Sequence, residues 1–534
     1  MRPDRFRPSA RQGALSFLGR AHPDLPELLL ASSRQNGRGF LDRRMKPSRA
    51  LATLFVAMTV ALASLQLDAQ SSSRKQTERK SQESSSSRKA HEKILKAYGV
   101  YENQALQDYV SEIGQRVARQ SSLADQEWKF VVLDDDSINA FTTGCCYVYL
   151  HRGLLIHLNS EAELASVLGH EVAHVTAKHP QKRMTRGVLA SLAAAAAAIY
   201  TGSGAVADLA NLGATAWMRG YGRENELEAD RIGLQYSVRA GYRPEAMGEV
   251  FDMFRRGERF EIDRARAEGR EPRVYHGMFS SHPAPDARAV QAAKAAANLE
   301  AGPEGGWVDN RERYMKAIDG LTYGSSRAQG IVRGNRLYHA ELGITVAFPK
   351  AWTVENQRDA LIAYTPSKDT LMQITLRDYP PTMGPREFLF SQLRGATLSG
   401  GEPIQINGME GYTARTTSGS PLDNGAGPVR WVVLYRGKSA YLFAGASRSS
   451  RGAVPEADGL FLSVAETLRA LKPSEYPLAE PYRLRIRTST ADTRLEDYAD
   501  DMPVEKYPRE ELMLINGLYP NRKLQPGTLY KVVE

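Results

Sequence analysis

His170, Glu171 and His174 lie in one short stretch, LASVLGHEVAHVTAKHP, from Leu164 to Pro180. On a helix, residues four apart share a face about one turn apart, so His170 and His174 could each offer an imidazole nitrogen to one metal ion. Glu171 projects beside them and could act as a base on a water at that metal. The pattern suits metal-assisted peptide hydrolysis. The competing reading is a helix that carries two surface histidines, and these residues alone do not decide between the two.

A catalytic zinc commonly takes three protein ligands and keeps a fourth position for water. A metzincin would need Gly at 177 and His at 180. Ala177 and Pro180 stand there, and His179 falls one residue short. The remaining common donor is a glutamate on a second helix. The segment ENELEAD provides Glu224, Glu226 and Glu228, with Asp230 four residues beyond Glu226. Glu226 and Asp230 share one helical face, so one could bind the metal while the other accepts the N–H of a ligating histidine. Glu224 and Glu228 lie about 200° around the helix from Glu226. Substitution of either is expected to spare the metal. A solvated acidic face is the competing reading, weakened by the histidine pair upstream.

Several elements must position these residues. Ser160 and Glu163 form a capping-box signature ahead of the histidine helix. NQALQDYVSEIGQRVARQ sets Leu106, Tyr109, Val110, Ile113 and Val117 on one helical face. WKFVVLDD and CCYVYLHRG read as strands. VLASLAAAAAAIY is an Ala-rich helix, too short and too weakly apolar to span a membrane.

The chain has 534 residues, 42% apolar and 25% charged, which suits several globular domains. Of the net charge of +9, five units fall in residues 1–44 and one in 45–69, which leaves +3 for 70–534. A basic face for nucleic acid is therefore not expected. From Met45, MKPSRALATLFVAMTVALASLQLDAQ has the layout of a secretory signal peptide: Lys46 and Arg49, then the apolar run Ala50–Leu65, then LDA before Gln70. Residues 45–69 are expected to direct export to the periplasm; the alternative is an uncleaved membrane anchor. Residues 1–44 read as an upstream extension from a misplaced start codon. The only cysteines, Cys145 and Cys146, are adjacent. Consecutive Cα atoms are about 3.8 Å apart, below the usual disulfide range, so no structural disulfide is expected.

Residues 70–92 are Ser-rich and charged and read as a disordered linker. A peptidase domain over 93–300 follows, then a linker over 301–336. Short β-rich runs (GITVAF, LMQITL, RWVVLYR, SAYLFAG) and the helix GLFLSVAETLRAL make an α+β domain over 337–472. A small unit over 483–534 comes last.

The ordered motifs YGVYENQALQDYVSEIGQRVA, INAFTT, YVYLHRGLL, HEVAHVTAKH, ENELEADRIG and SSHPAPDAR resemble those of the HtpX-like and CAAX-prenyl-protease-type zinc metallopeptidases, nearest their exported, BepA-like branch. The resemblance spans roughly residues 95–295. It implies a mainly α-helical gluzincin domain with a small β-sheet and one zinc ion. It also implies that His170, His174 and Glu226 are the zinc ligands, Glu171 the general base and Asp230 the partner of a ligating histidine. His282 matches the late Ser/Thr-His-Pro segment and would approach the metal or stabilise the oxyanion. Where the family has Pro-Gly-Gly, this chain has Gly144, Cys145 and Cys146. The strand near Tyr147–Leu150 is expected to be an edge that holds extended substrate by strand addition.

The last unit resembles a LysM-like βααβ module, with Ala491, Asp492 and Thr493 in place of Gly-Asp-Thr. The middle domain, with GITVAFPKAWTV, is similar to PsbP-like α+β folds and carries no chemical motif. The function expected is an exported zinc endopeptidase acting on envelope proteins in quality control. Partners would be envelope proteins or peptides and, through the last module, peptidoglycan, with peripheral membrane contact and no nucleic acid. The alternative is a non-catalytic cell-wall-binding or assembly scaffold with a vestigial site.

Overall fold

The computed structural model describes residues 87–180, 222–272, 285–297 and 306–534, apart from 358–359, 394–395, 423–424, 449–456 and 505. All of them belong to one compact unit, Thr77–Glu534. The expected upstream extension, the signal segment, the Ala-rich helix VLASLAAAAAAIY and His282 lie outside the described residues. No helix among the described residues is long and apolar enough to cross a membrane.

The first helix, α1, covers residues 87–98 and so begins inside the segment read as linker. Helix α2 (Gln104–Ala118) starts where the Asn103 side chain accepts the Leu106 N–H, and it buries the face its periodicity marks: Leu106, Tyr109, Val110, Ile113 and Val117. A three-stranded sheet follows, made of β1 (Lys129–Leu133), β2 (Ala140–Thr142) and β3 (Tyr147–His151) in the order β1-β3-β2. Strand β3 runs parallel to β1 and antiparallel to β2. Alternation sends Phe130, Val132, Val148 and Leu150 into the main core with α2. It turns Leu133, Phe141 and Tyr149 toward Ile94, Leu95 and Tyr98 of α1.

This order corrects the edge-strand expectation. β3 is the middle strand and is hydrogen-bonded on both sides, so it cannot accept a substrate strand; β1 and β2 are the outer ones. Strand order depends on pairing between distant segments, which the local pattern of CCYVYLHRG does not carry. The turn between β2 and β3 brings a second correction. Cys145 and Cys146 are joined to each other in a disulfide, with Cα atoms 3.3 Å apart rather than the 3.8 Å of a plain trans peptide.

After the short helix α3 (Arg152–His157) comes α4 (Glu161–Thr176), which carries the histidine pair. The Ser160 hydroxyl accepts the Glu163 N–H, as the capping box requires, whereas the Glu163 carboxylate reaches one residue further back to the Asn159 N–H, at 2.7 Å. Helix α5 (Arg223–Arg239) crosses α4 at two glycines. A Cβ on Gly233 would lie 2.7 Å from the His170 nitrogen, and one on Gly169 would lie 2.7 Å from the Gly233 carbonyl. This backbone-to-backbone approach sets the acidic face of α5 against the histidines. Helices α6 (Glu245–Ala267), α7 (Pro285–Ala297) and α8 (Arg311–Ile318) complete the helical layer. α8 lies within the segment read as a linker, yet Tyr314, Met315 and Ile318 are buried in the same core as α2 and α4.

Strand β4 (Thr322–Tyr323) leads into an antiparallel accessory region. Four strands pair in the order β15-β7-β6-β5: β5 (Ile331–Arg333), β6 (Arg336–His339), β7 (Ile344–Ala347) and β15 (Arg469–Ala470). Seven strands, β8 (Thr353–Asn356), β9 (Leu361–Tyr364), β10 (Thr370–Asp378), β11 (Leu398–Ile406), β12 (Met409–Ser420), β13 (Gly425–Arg436) and β14 (Ser439–Ser447), pair in the order β11-β12-β13-β14-β10-β9-β8. Helix α9 (Pro385–Gln392) packs Phe388 and Leu389 on one face of that sheet, and α10 (Ala457–Glu466) packs Phe461 and Val464 on the other.

The last segment runs strand, 3-10 turn, helix, strand: β16 (Tyr482–Thr488), residues Leu495–Tyr498, α11 (Pro508–Ile515) and β17 (Leu529–Val533). β16 pairs antiparallel with both β17 and β4. Leu484, Leu512, Ile515, Tyr530 and Val532 belong to the core that surrounds α2 and α4. A segment this short has little interior of its own and gains stability by burying one face on a larger body. Lys531 pins it there. Its buried amine donates to the carbonyls of Ile156 (2.7 Å), Leu158 (2.6 Å) and Ile515 (2.9 Å) and to Asn159 Oδ1 (3.2 Å). Lys531→Ala is expected to destabilise the protein by about 3–5 kcal/mol, since each buried oxygen left without a donor costs about 1–3 kcal/mol. Urea unfolding checks this, and a change under about 1 kcal/mol would contradict it.

Candidate metal centre

The four-residue spacing on α4 and the glycine crossing with α5 bring three side chains from two helices to one point. His170 Nε2 and His174 Nε2 are 2.9 Å apart. Glu226 sits between them, with Oε2 3.6 Å from His170 Nε2 and Oε1 3.4 Å from His174 Nε2. All three are buried, and this is the one His-His-Glu group among the described residues able to hold a metal ion. The donor set fits zinc. Ligand atoms at about 2.05 Å in a tetrahedron stand about 3.3 Å from one another, and the three separations lie on either side of that value. Glu171, next to His170 on α4, is fully buried.

His170 turns its other nitrogen to Asp230, with Nδ1 and Oδ1 2.9 Å apart. The fully folded α5 thus places Glu226 and Asp230 on one face, as the sequence suggests. Arg288, from α7, grips Asp230 through Nε (2.6 Å) and Nη2 (2.7 Å), and its Nη1 lies 2.9 Å from Glu226 Oε2. Burial alone would raise the Asp230 carboxyl. Hydrogen bonds from Arg288 and His170 outweigh it and bring that carboxyl down to about 2. Burial likewise disfavours the Arg288 charge, which Asp230 and Glu226 restore, with a further contribution from Glu171.

Two features escaped the sequence reading. Arg288 closes the quoted SSHPAPDAR segment, but nothing local ties it to the acidic helix 58 residues upstream. His179, one residue short of a metzincin ligand position, carries no other signal in the sequence. The structure sets it against His174 and beside Glu228, with Nδ1 2.9 Å from His174 Nδ1 and Nε2 3.1 Å from Glu228 Oε2. Glu228, expected on the side of α5 away from Glu226, thus contacts a residue that itself contacts His174. Glu224, by contrast, is exposed.

Residues 104–296 match the model of peptidase family M48. The beta-barrel assembly-enhancing protease of Escherichia coli (strain K12) is 30% identical over 197 residues, which cover 35% of this chain and 38% of that protein. The mitochondrial metalloendopeptidase OMA1 of Arabidopsis thaliana is 32% identical over 136 residues, 25% of this chain and 27% of that one. The chain thus spans well under half the length of these two relatives. Among solved structures, the cyanobacterial PsbP of Synechocystis sp. PCC 6803 is 13% identical with a TM-score of 0.20 and covers 26% of this chain and 95% of that one. That likeness is too slight to assign a fold. Two buried histidines one turn apart, a glutamate on a crossing helix and the match over residues 104–296 converge on one conclusion: the chain carries a peptidase family M48 domain.

Proposed function

We propose that this protein is an exported zinc-dependent endopeptidase that hydrolyses envelope proteins in quality control. The observation that carries the reading is the convergence of His170 Nε2, His174 Nε2 and the Glu226 carboxylate at separations of 2.9, 3.4 and 3.6 Å. His170, His174 and Glu226 would hold the ion. A bound zinc ion supplies Lewis acidity, making water nucleophilic near neutral pH and polarising a scissile carbonyl. Glu171 takes the proton from the attacking water and passes it to the leaving amine. Asp230 accepts the Nδ1–H of His170, which would leave Nε2 unprotonated and available to an ion. His282 is assigned to the oxyanion or to a further ligand position by its place in the late Ser/Thr-His-Pro segment.

Export rests on the signal-like segment 45–69, and mature protein would begin near Gln70. The envelope substrate class is supported by a relative whose name refers to beta-barrel assembly. Peptidoglycan is the ligand proposed for the LysM-like segment 483–534, whose strand-turn-helix-strand order is compatible with such a module.

The test is metal content and metal dependence. Purified mature protein is expected to hold about one zinc per chain. It should cleave a casein-type substrate, lose that activity on dialysis against 1,10-phenanthroline and regain it with zinc. Activity that survives complete removal of metal would refute the reading.

A further inference from the structure

We propose that His179 is a positioning residue for His174, and that Glu228 fixes its tautomer. The inference rests on the reading of His174 Nε2 as a metal donor.

Helix α4 ends at Thr176, and the chain bends sharply two residues later. Lys178 adopts a left-handed backbone with φ of 60°. That conformation is uncommon for a residue with a Cβ and marks sites where geometry is imposed. Here it turns the next residue back onto the helix it has just left. His179 is fully buried, and its two ring nitrogens face different elements. Nδ1 lies 2.9 Å from His174 Nδ1 on α4, and Nε2 lies 3.1 Å from Glu228 Oε2 on α5.

For a neutral His179 and a His174 Nε2 free to bind metal, these contacts allow one arrangement of protons. A neutral imidazole has one donor nitrogen and one acceptor nitrogen. A lone pair on His174 Nε2, aimed at the metal, places the proton on His174 Nδ1. His179 Nδ1 must then accept, so its own proton sits on Nε2. That proton is donated to the Glu228 carboxylate. In the reverse arrangement His179 Nε2 would present a lone pair to carboxylate oxygen at 3.1 Å, with no proton between two acceptors. Glu228 thus selects, through one intervening ring, the tautomer in which His174 Nε2 is free to bind.

The two ligating histidines are consequently held in different ways. His170 is backed directly by Asp230, which Arg288 grips from the far side. His174 is backed by the ring of His179, and the carboxylate behind that ring belongs to Glu228, whose side chain is 43% exposed. Helical geometry alone places Glu228 away from Glu226, and this is correct as far as it goes. It does not reveal that a bent-back His179 waits on that side.

The experiment measures zinc affinity of the mature protein by competition with a chromophoric chelator. His179→Phe keeps a ring and removes the acceptor; His179→Asn restores an oxygen near the Nδ1 position. His179→Phe is expected to bind zinc about 10- to 100-fold more weakly, as loss of an outer hydrogen-bond partner does. His179→Asn should return to within about 5-fold of the unsubstituted protein. If the buried substitutions impair folding, the exposed partner decides. Glu228→Ala should weaken zinc by about 10-fold, and Glu228→Gln, which still accepts, should recover most of that. Affinity in His179→Phe within about threefold of the unsubstituted protein would overturn the proposal. So would a folded His179→Asn as weak as His179→Phe, or an unchanged Glu228→Ala. Unsubstituted protein that binds no zinc would instead overturn the metal centre itself.

Discussion

Glu171→Gln is expected to retain about one zinc per chain and to lower kcat on a casein-type substrate by about 10²- to 10⁴-fold. The substitution keeps size and shape in a fully buried position, so neither α4 nor the histidine pair need move. What it removes is the carboxylate proposed to take a proton from water and return it to the amine. Because that proton transfer belongs to the transition state, kcat should fall with little change in KM. Metal content measured on the same preparation separates loss of the base from loss of the ion. Full activity in Glu171→Gln would refute the assigned role.

Glu226→Ala is expected to abolish both metal binding and proteolysis, leaving below about 0.1 zinc per chain. Glu226 is the only donor in the triad from outside α4, and its two oxygens face both histidines at 3.4 and 3.6 Å. Its removal leaves two ligands, too few for a catalytic zinc site. It also strips Arg288 of one of its two carboxylates, so a buried cation next to the site gains relative weight. Glu224→Ala is the matched control. Glu224 is exposed one turn-half away on the same helix, and its substitution should leave zinc and activity essentially unchanged. Zinc retained in Glu226→Ala would require a different third ligand.

The grouping of His170, His174 and Glu226 was legible because its information is local. A helix repeats every 3.6 residues, so His170 with His174, and Glu226 with Asp230, are paired by counting along the chain. The buried face of α2 and the Ser160 cap follow from the same kind of pattern. What could not be read depends on segments distant in the chain. The Gly169–Gly233 crossing decides which acidic residues reach the histidines, yet each glycine alone looks unremarked in a helix. The middle position of β3 is set by its pairing with both β1 and β2. Lys178 resists prediction for another reason: a left-handed turn at a lysine runs against backbone preference and is maintained by the buried contacts of His179.

Lys531 also bears on the timing of folding. Its amine and the oxygens it holds at Ile156, Leu158 and Asn159 are separated by 375, 373 and 372 positions. The whole accessory region is synthesised between them. At a translation rate of about 5–20 residues per second, the ribosome needs roughly 20–75 s to cover that distance. During this interval the loop that starts the histidine helix lacks the partner that satisfies it, and the surrounding core lacks one wall. A nascent chain is therefore long past the codons for His170, His174 and Glu226 before this contact can form. The core around α4 is therefore completed after synthesis of the accessory region and not before it.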